Sequence, residues 1–137
     1  MEPSSAEKTR DLVQKFFRHL AGRDFENLIP LFGETVDWFI PGNQELAPWL
    51  GKRNSKKEIK EFFKLLWENT EPVSAQIDHI LVESNVAIVA GEFSTRMLRT
   101  GKIVNSIFSI QITFEDSLIV KYRLLEDSYA VSVSLTK

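Results

Sequence analysis

Cysteine is missing from this 137-residue chain. Its absence excludes disulfides, thiolate nucleophiles and thiolate metal clusters, and it suits a reducing compartment, so a cytoplasmic location is expected. Histidine is nearly missing: His19 and His79 lie far apart, with no H-x-H or H-x-x-x-H spacing, and no metal site is expected. No apolar run approaches the ~18 residues of a membrane-spanning helix, and the opening MEPSSAEKTR lacks the apolar core of a signal peptide, so no membrane association is expected. Excess charge is lacking as well. A net charge of −2 gives no general attraction for phosphate backbones. The one basic cluster, Lys52, Arg53, Lys56 and Lys57, has no interleaved aromatics and reads as a solvated surface beside a helix start, so no nucleic-acid partner is expected. There is no P-loop, dinucleotide glycine motif or G-x-S-x-G elbow, and no cofactor is expected.

What the chain does have is apolar and aromatic: 43% hydrophobic residues and 11% aromatic ones. That composition, at this length, predicts one globular domain spanning 1–137. Ser4 and Glu7 have capping-box spacing, and Leu12, Val13, Phe16, Phe17 and Leu20 follow at helical intervals up to Gly22. Asp24 can cap a second stretch, shortened or distorted by Pro30. Residues 35 to 40 read as a brief strand ending in a loop rich in proline and glycine, with Trp38 before the loop and Trp49 within it. A second capping box, Ser55 to Glu58, opens a helix striped by Ile59, Phe62, Phe63, Leu66 and Trp67 and ending before Pro72.

From residue 73 the period changes to two, predicting strands near 74–83, 86–98, 103–114 and 118–126 joined by the short turns ESN, RTG and EDS. Helices followed by antiparallel strands make an α+β domain with a curved sheet. Alternation assigns the faces. Ser106 is the single hydroxyl among Val104, Phe108, Ile110, Ile112 and Phe114 on one side of its strand. In the last strand Leu118, Val120, Tyr122, Leu124 and Glu126 share a side, so a phenol and a carboxylate continue an apolar face. Gly91 leaves room above the sheet, and the side bearing Glu92, Ser94 and Arg96 is a candidate subunit interface.

Four stretches, FFRHLAGRDFENLIPLF at 16–32, VDWFIPG at 36–42, GKRNSKKEIKEFF at 51–63 and IVKYRLLEDSYAV at 119–131, give the chain a pattern that resembles the nuclear transport factor 2-like superfamily and its SnoaL-like and ketosteroid-isomerase-like branch. The resemblance implies a cone: a curved antiparallel sheet wrapped by three helices from the N-terminal half, an apolar cavity between them, and pairing of two chains through the outer sheet face. It also implies that Trp38 points into the cavity and that the 41–51 loop folds over its mouth with Trp49 at the rim; the alternative is core packing for Trp38 and packing under its own loop for Trp49. The isomerase's tyrosine, base and protonated acid match Phe16, Trp38 and Ile110. None of these can take or give the proton, so steroid-isomerase chemistry at those positions is rejected.

Glu126 is the leading candidate acid, because the end of an apolar strand face raises a carboxyl pKa, and Tyr122 can donate to the same ligand. The plain alternative for Glu126 is a surface ion pair. Asp127 is either a second acid or a helix cap, and residues 129 to 135 read as a helix by resemblance but alternate like a strand. The ligand site expected from these residues comprises Phe16, Trp38, Trp49, Ser106, Phe108, Ile110, Tyr122 and Glu126, receiving a small apolar or partly oxygenated molecule. Three functions fit: cofactor-free acid/base isomerisation, cyclisation or hydration; a non-catalytic carrier; or a dimeric interaction module working through the outer sheet.

Overall fold

The computed structural model describes residues 5–137, and the Ser4 capping box therefore lies outside the described residues. Helix α1 (Ser5–Ala21) buries Thr9, Val13 and Phe16 along one stripe. Helix α2 (Phe25–Leu28) is capped by Asp24, whose Oδ1 accepts from the Asn27 N–H at 3.3 Å. Pro30 cannot supply the next helical N–H, and the chain tightens into a 3-10 turn at Ile29–Leu31.

Strand β1 (Phe32–Ile40) is longer than its alternation predicts, and β2 (Gly51–Ser55) was not predicted at all. The residues of β2, GKRNS, have little strand propensity; pairing imposes the conformation, with Trp38 opposite Arg53 and Ile40 opposite Gly51. Helix α3 (Lys56–Asn69) carries the predicted capping box: Ser55 Oγ accepts from the Glu58 N–H at 3.2 Å, and Glu58 Oε1 accepts from the Asn54 N–H at 3.0 Å. Strands β3 (Thr70–Glu83), β4 (Val86–Met97), β5 (Ile103–Glu115) and β6 (Leu118–Glu126) follow as hairpins. The tail is helical, α4 (Ser128–Ser134), because Asp127 Oδ1 accepts from the Ala130 N–H at 2.9 Å and starts a turn that the strand-like alternation of Val131, Val133 and Leu135 does not oppose.

The six strands form one curved, unclosed sheet in the order β2-β1-β6-β5-β4-β3. Every seam is antiparallel except β1–β6, where Trp38 lies beside Tyr122 in a parallel pair. The predicted antiparallel sheet thus contains one parallel joint. A bulge in β3 between Ile77 and His79 sits opposite Gly91, where a Cβ would lie 2.1 Å from the Gln76 carbonyl oxygen and 2.8 Å from the Phe108 ring. Only glycine permits that close approach, which lets the ring of Phe108 rest over the bent strand.

Register corrects one face assignment. A shift between Thr113 and Phe114 sets Ile119 opposite Phe114, so Ile119 is fully buried while Leu118 and Val120 are only half-buried. Beyond that shift the alternation holds, with Tyr122 opposite Ile112 and Glu126 opposite Phe108. The helices cover the inner face. Thr9 Oγ1 donates to the Ser84 carbonyl at 2.7 Å, tying the start of α1 to the β3–β4 turn, while Arg23 donates to the Trp67 and Thr70 carbonyls at the other end. Among the described residues, no helix is long and apolar enough to cross a membrane.

Candidate functional site

The β1–β6 joint creates the center of the interior. Because Trp38 and Tyr122 are lateral partners, their rings stack at 4.2 Å with an interplanar angle of 9°. Phe62 and Phe63 from α3 meet the indole edge-on at 4.8 and 5.9 Å, and Phe16 from α1 meets Tyr122 at 5.8 Å. With Phe32 these rings interlock into a plug; Trp38 is 1% exposed and Tyr122 is 4% exposed. Ile110 is buried too. Trp49 is buried as well, 4% exposed and held in a loop that Asn43 organises by accepting from the Glu45 and Leu46 N–H groups, and burial of the two indoles accords with either a wall or a core role. One polar atom in the plug stands out. Trp38 Nε1 is buried without a hydrogen-bond partner among the described residues.

Four residues further along β6 the environment changes. Glu126 is half-buried at the end of the inner face, no group among the described residues bonds or pairs with its carboxyl, and burial, helped by the neighbouring Asp127 carboxylate, pushes its pKa up to about 7. It makes no arginine ion pair. Burial, and secondarily the Glu126 charge, pushes the Tyr122 phenol well above its ordinary range, so Tyr122 is a fixed neutral phenol rather than a proton shuttle. Phe108 is half-buried opposite Glu126. Ser106 is already engaged: its Oγ donates to the Ile107 carbonyl at 2.6 Å and accepts from the Asp127 N–H at 2.8 Å, which locks the β6–α4 junction behind Glu126. Asp127 caps α4.

Arg53 is the residue that the sequence analysis missed. It belongs to the basic cluster read as surface, yet as the cross-strand partner of Trp38 it turns to the same side and lies over the Phe62 ring, 5.9 Å from the centroid. Its Nη1 donates to the Glu58 carbonyl at 2.7 Å, its Nη2 reaches the Trp49 carbonyl at 3.5 Å, and its Nε is buried without a partner. The signal was present in the alternation of β2, but only once β2 is known to be a strand.

Other sequence candidates fall elsewhere. Asp37 is on the outer face in an ion pair with Arg123, His79 is exposed on β3, and His19 sits 3.6 Å from Asp24 at the end of α1. Among the described residues, no group of three histidine or acidic side chains could hold a metal ion. Two hollows stand out among the described residues. One of about 470 Å³ lies over Gln76, Glu92, Ser94, Asn105 and Ile107 across β3, β4 and β5. The other, of about 580 Å³, lies between α4 and the start of β5 at Ile103, Tyr129 and Val133. Neither borders Trp38, Tyr122 or Glu126, and the interior around Trp38 is occupied by rings.

Comparison with known proteins agrees with this architecture. A family model described as a SnoaL-like domain matches residues 13–122. A nuclear transport factor 2-like protein from Burkholderia xenovorans LB400 superposes with a TM-score of 0.87 at 19% identity, covering 98% of this chain and 100% of that one. A candidate isomerase from Rhodopseudomonas palustris gives 0.80 at 17% identity, with full coverage of both chains (100% and 100%). An epoxide hydrolase of M. tuberculosis, described as LEH-like, gives 0.74 at 12% identity, covering 95% and 90%. At such identities the likeness establishes the fold alone. None of the curated proteins compared matches the sequence.

Proposed function

Because the chain belongs to the SnoaL-like domain family, and because this fold is shared by proteins described as a candidate isomerase and an epoxide hydrolase, we propose that it is a cofactor-free acid/base enzyme. It binds a small apolar or partly oxygenated molecule at the mouth of the inner sheet face and carries out an isomerisation, cyclisation or hydration. One observation carries the reading: the Glu126 carboxyl is desolvated, unpartnered, and poised at about pH 7. A structural carboxylate of this burial acquires an arginine or a set of N–H donors; one left free, with its acid and base forms balanced near neutral pH, is suited to give and take a proton. Phe108 and Leu124 supply the apolar wall, and Tyr122, locked as a phenol, is a donor. A cytoplasmic location goes with this reading.

The test is turnover of a panel of enones, lactones and epoxides across pH. The expected result is a rate that follows one group titrating near pH 7 and is lost in Glu126→Gln with ligand binding retained. Saturable binding without turnover on any of them, indifferent to that substitution, makes the protein a carrier.

A second reading has its own observation. On the outer face Ile107, Leu81 and Leu125 are 72%, 64% and 59% exposed, and large apolar side chains left exposed on one face are candidates for an interaction surface. We propose that two chains pair through it. Sedimentation equilibrium giving a dimer, reduced to monomer by Ile107→Glu, is the expected result; a monomer at all concentrations rules it out.

A further inference from the structure

Strand β6 stops short of the start of β5. Its last residue, Glu126, lies opposite Phe108, so β5 residues 103–107 have β4 on one side and no strand on the other. In an antiparallel ladder a residue turns its N–H and C=O to one neighbour, and the next residue turns its own to the other. The Lys102 carbonyl accepts from the Met97 N–H at 2.8 Å, which sets Lys102 toward β4 and turns Ile103 and Asn105 the opposite way. Nearer β6 the row is partly covered, because the Ile107 carbonyl accepts from Ser106 Oγ at 2.6 Å. Ile103 and Asn105 thus present their main-chain N–H and C=O groups to the row that β6 leaves, and among the described residues no other strand or loop bonds to them.

That row is a groove. The hollow of about 580 Å³ is bordered by Lys102, Ile103 and Asn105 on the strand and by Tyr129 and Val133 on α4. These two helix residues are 74% and 47% exposed, and their i, i+4 spacing puts them on one face. The helical wall is tied at both ends. At its start the Asp127 N–H donates to Ser106 Oγ at 2.8 Å; at its end Arg99 Nη2 donates to the Leu135 carbonyl at 2.8 Å and Thr100 Oγ1 donates to the Ser134 carbonyl. The space is therefore open as it stands. Among the described residues Lys102 is the one charged residue bordering it, and its ammonium, which donates to the Thr136 carbonyl, has two further N–H donors.

A free strand edge, an apolar wall and a single cation at one end match an extended peptide, because alternating main-chain donors and acceptors are met in register by another backbone. We propose that this groove takes the C-terminal three or four residues of a partner protein, added to β5 as a short strand in the row that β6 vacates. The added chain runs antiparallel to β5, as β6 does. That direction brings its terminal carboxylate to Lys102 for a charge-assisted bond and keeps it away from the Asp127 carboxylate, which stands where β6 ends. Positions 103–105 span about 7 Å from first to last at strand rise, room for the main-chain bonds of Ile103 and Asn105. An apolar side chain of the peptide rests on Tyr129 and Val133.

The test is independent of turnover. The probes are two mixtures of N-acetylated tetrapeptides ending in Val, Leu or Phe, one with free carboxylates and one with C-terminal amides. Each is added to the intact protein while the backbone N–H resonances of Ile103 and Asn105 are followed by NMR. The expected result is a saturable downfield shift of both resonances with the acids, and binding weaker by about tenfold or more with the amides. Lys102→Gln is expected to erase that difference and Lys102→Arg to keep it; should the first fail to fold, the comparison of acids with amides on the unaltered protein decides. Hexanoate, an apolar acid without peptide groups, is expected to leave both resonances unmoved. Resonances that stay in place with the acids at millimolar concentration overturn the proposal, as does an equal response to the amides. A matching response to hexanoate also overturns it, making the groove a site for amphipathic anions. The titration is repeated in Ile107→Glu, so that pairing of chains through the outer face does not enter; a shift lost there belongs to the paired surface and counts against the groove.

Discussion

Tyr122 and Glu126 occupy the same side of the same strand, yet one end of that face is shut and the other is open. Around Tyr122, rings from α1, α3, β1 and β6 close on one another so that stacking and edge contacts replace water. Around Glu126 the opposing side chain, Phe108, is only half-buried, and the carboxyl has lost water without gaining a partner. The comparison teaches that in this fold stability and chemistry are divided along the length of one strand: the closed end contributes burial, and the open end spends some of it on a strained electrostatic position.

That division can be attacked from either side. At the closed end, Trp38→Ala is expected to cost about 3–5 kcal/mol in urea unfolding, as large-to-small changes of buried aromatics do. A similar loss from Phe108→Ala would erase the distinction between the ends. The next largest effect is pH-linked. Glu126 has a folded pKa of about 7 against an ordinary 4.5, so the native state binds the extra proton between those values and stability falls as pH rises through that window. The loss is on the order of 2–3 kcal/mol after allowing for partial exposure, and Glu126→Gln is expected to flatten it. Ser106→Ala removes the acceptor of the Asp127 N–H and is expected to destabilise by about 1–2 kcal/mol, with loosening of α4 read by hydrogen exchange. The smallest effect is expected from Asp127→Ala, about 1 kcal/mol for a lost helix cap, and it leaves the turnover pH profile in place if Glu126 alone carries the proton.

The parts of the fold that were legible in the sequence are those dictated by local chemistry. The Ser55–Glu58 box, the Asp24 cap, the effect of Pro30 and the period-two strands all act within a few residues, and each is found in the structure. What was illegible depends on partners distant in sequence. Strand β2 is made a strand by β1 rather than by its own residues, and with it went the inward turn of Arg53. Leu118 and Val120 were grouped with the inner face, which Ile119 takes instead, because a register shift cannot be seen in alternation. Of the site residues, the burial of Phe16, Trp38, Trp49, Ile110 and Tyr122 accords with either wall or core, the two roles the sequence left open. The engagement of Ser106 with Asp127 and Ile107, which makes it a brace for the β6–α4 corner, requires knowing that β6 ends beside β5 there.

The parallel joint between β1 and β6 carries a consequence for biosynthesis. A ribosome delivers β6 long after β1, so the stacked pair on which the closed end depends cannot form until the helix and strands between them have emerged. Long-range closure of this kind slows folding, and until then Phe32, Trp38, Phe62 and Phe63 are left without their central strand, an opening for chaperones to engage the nascent chain.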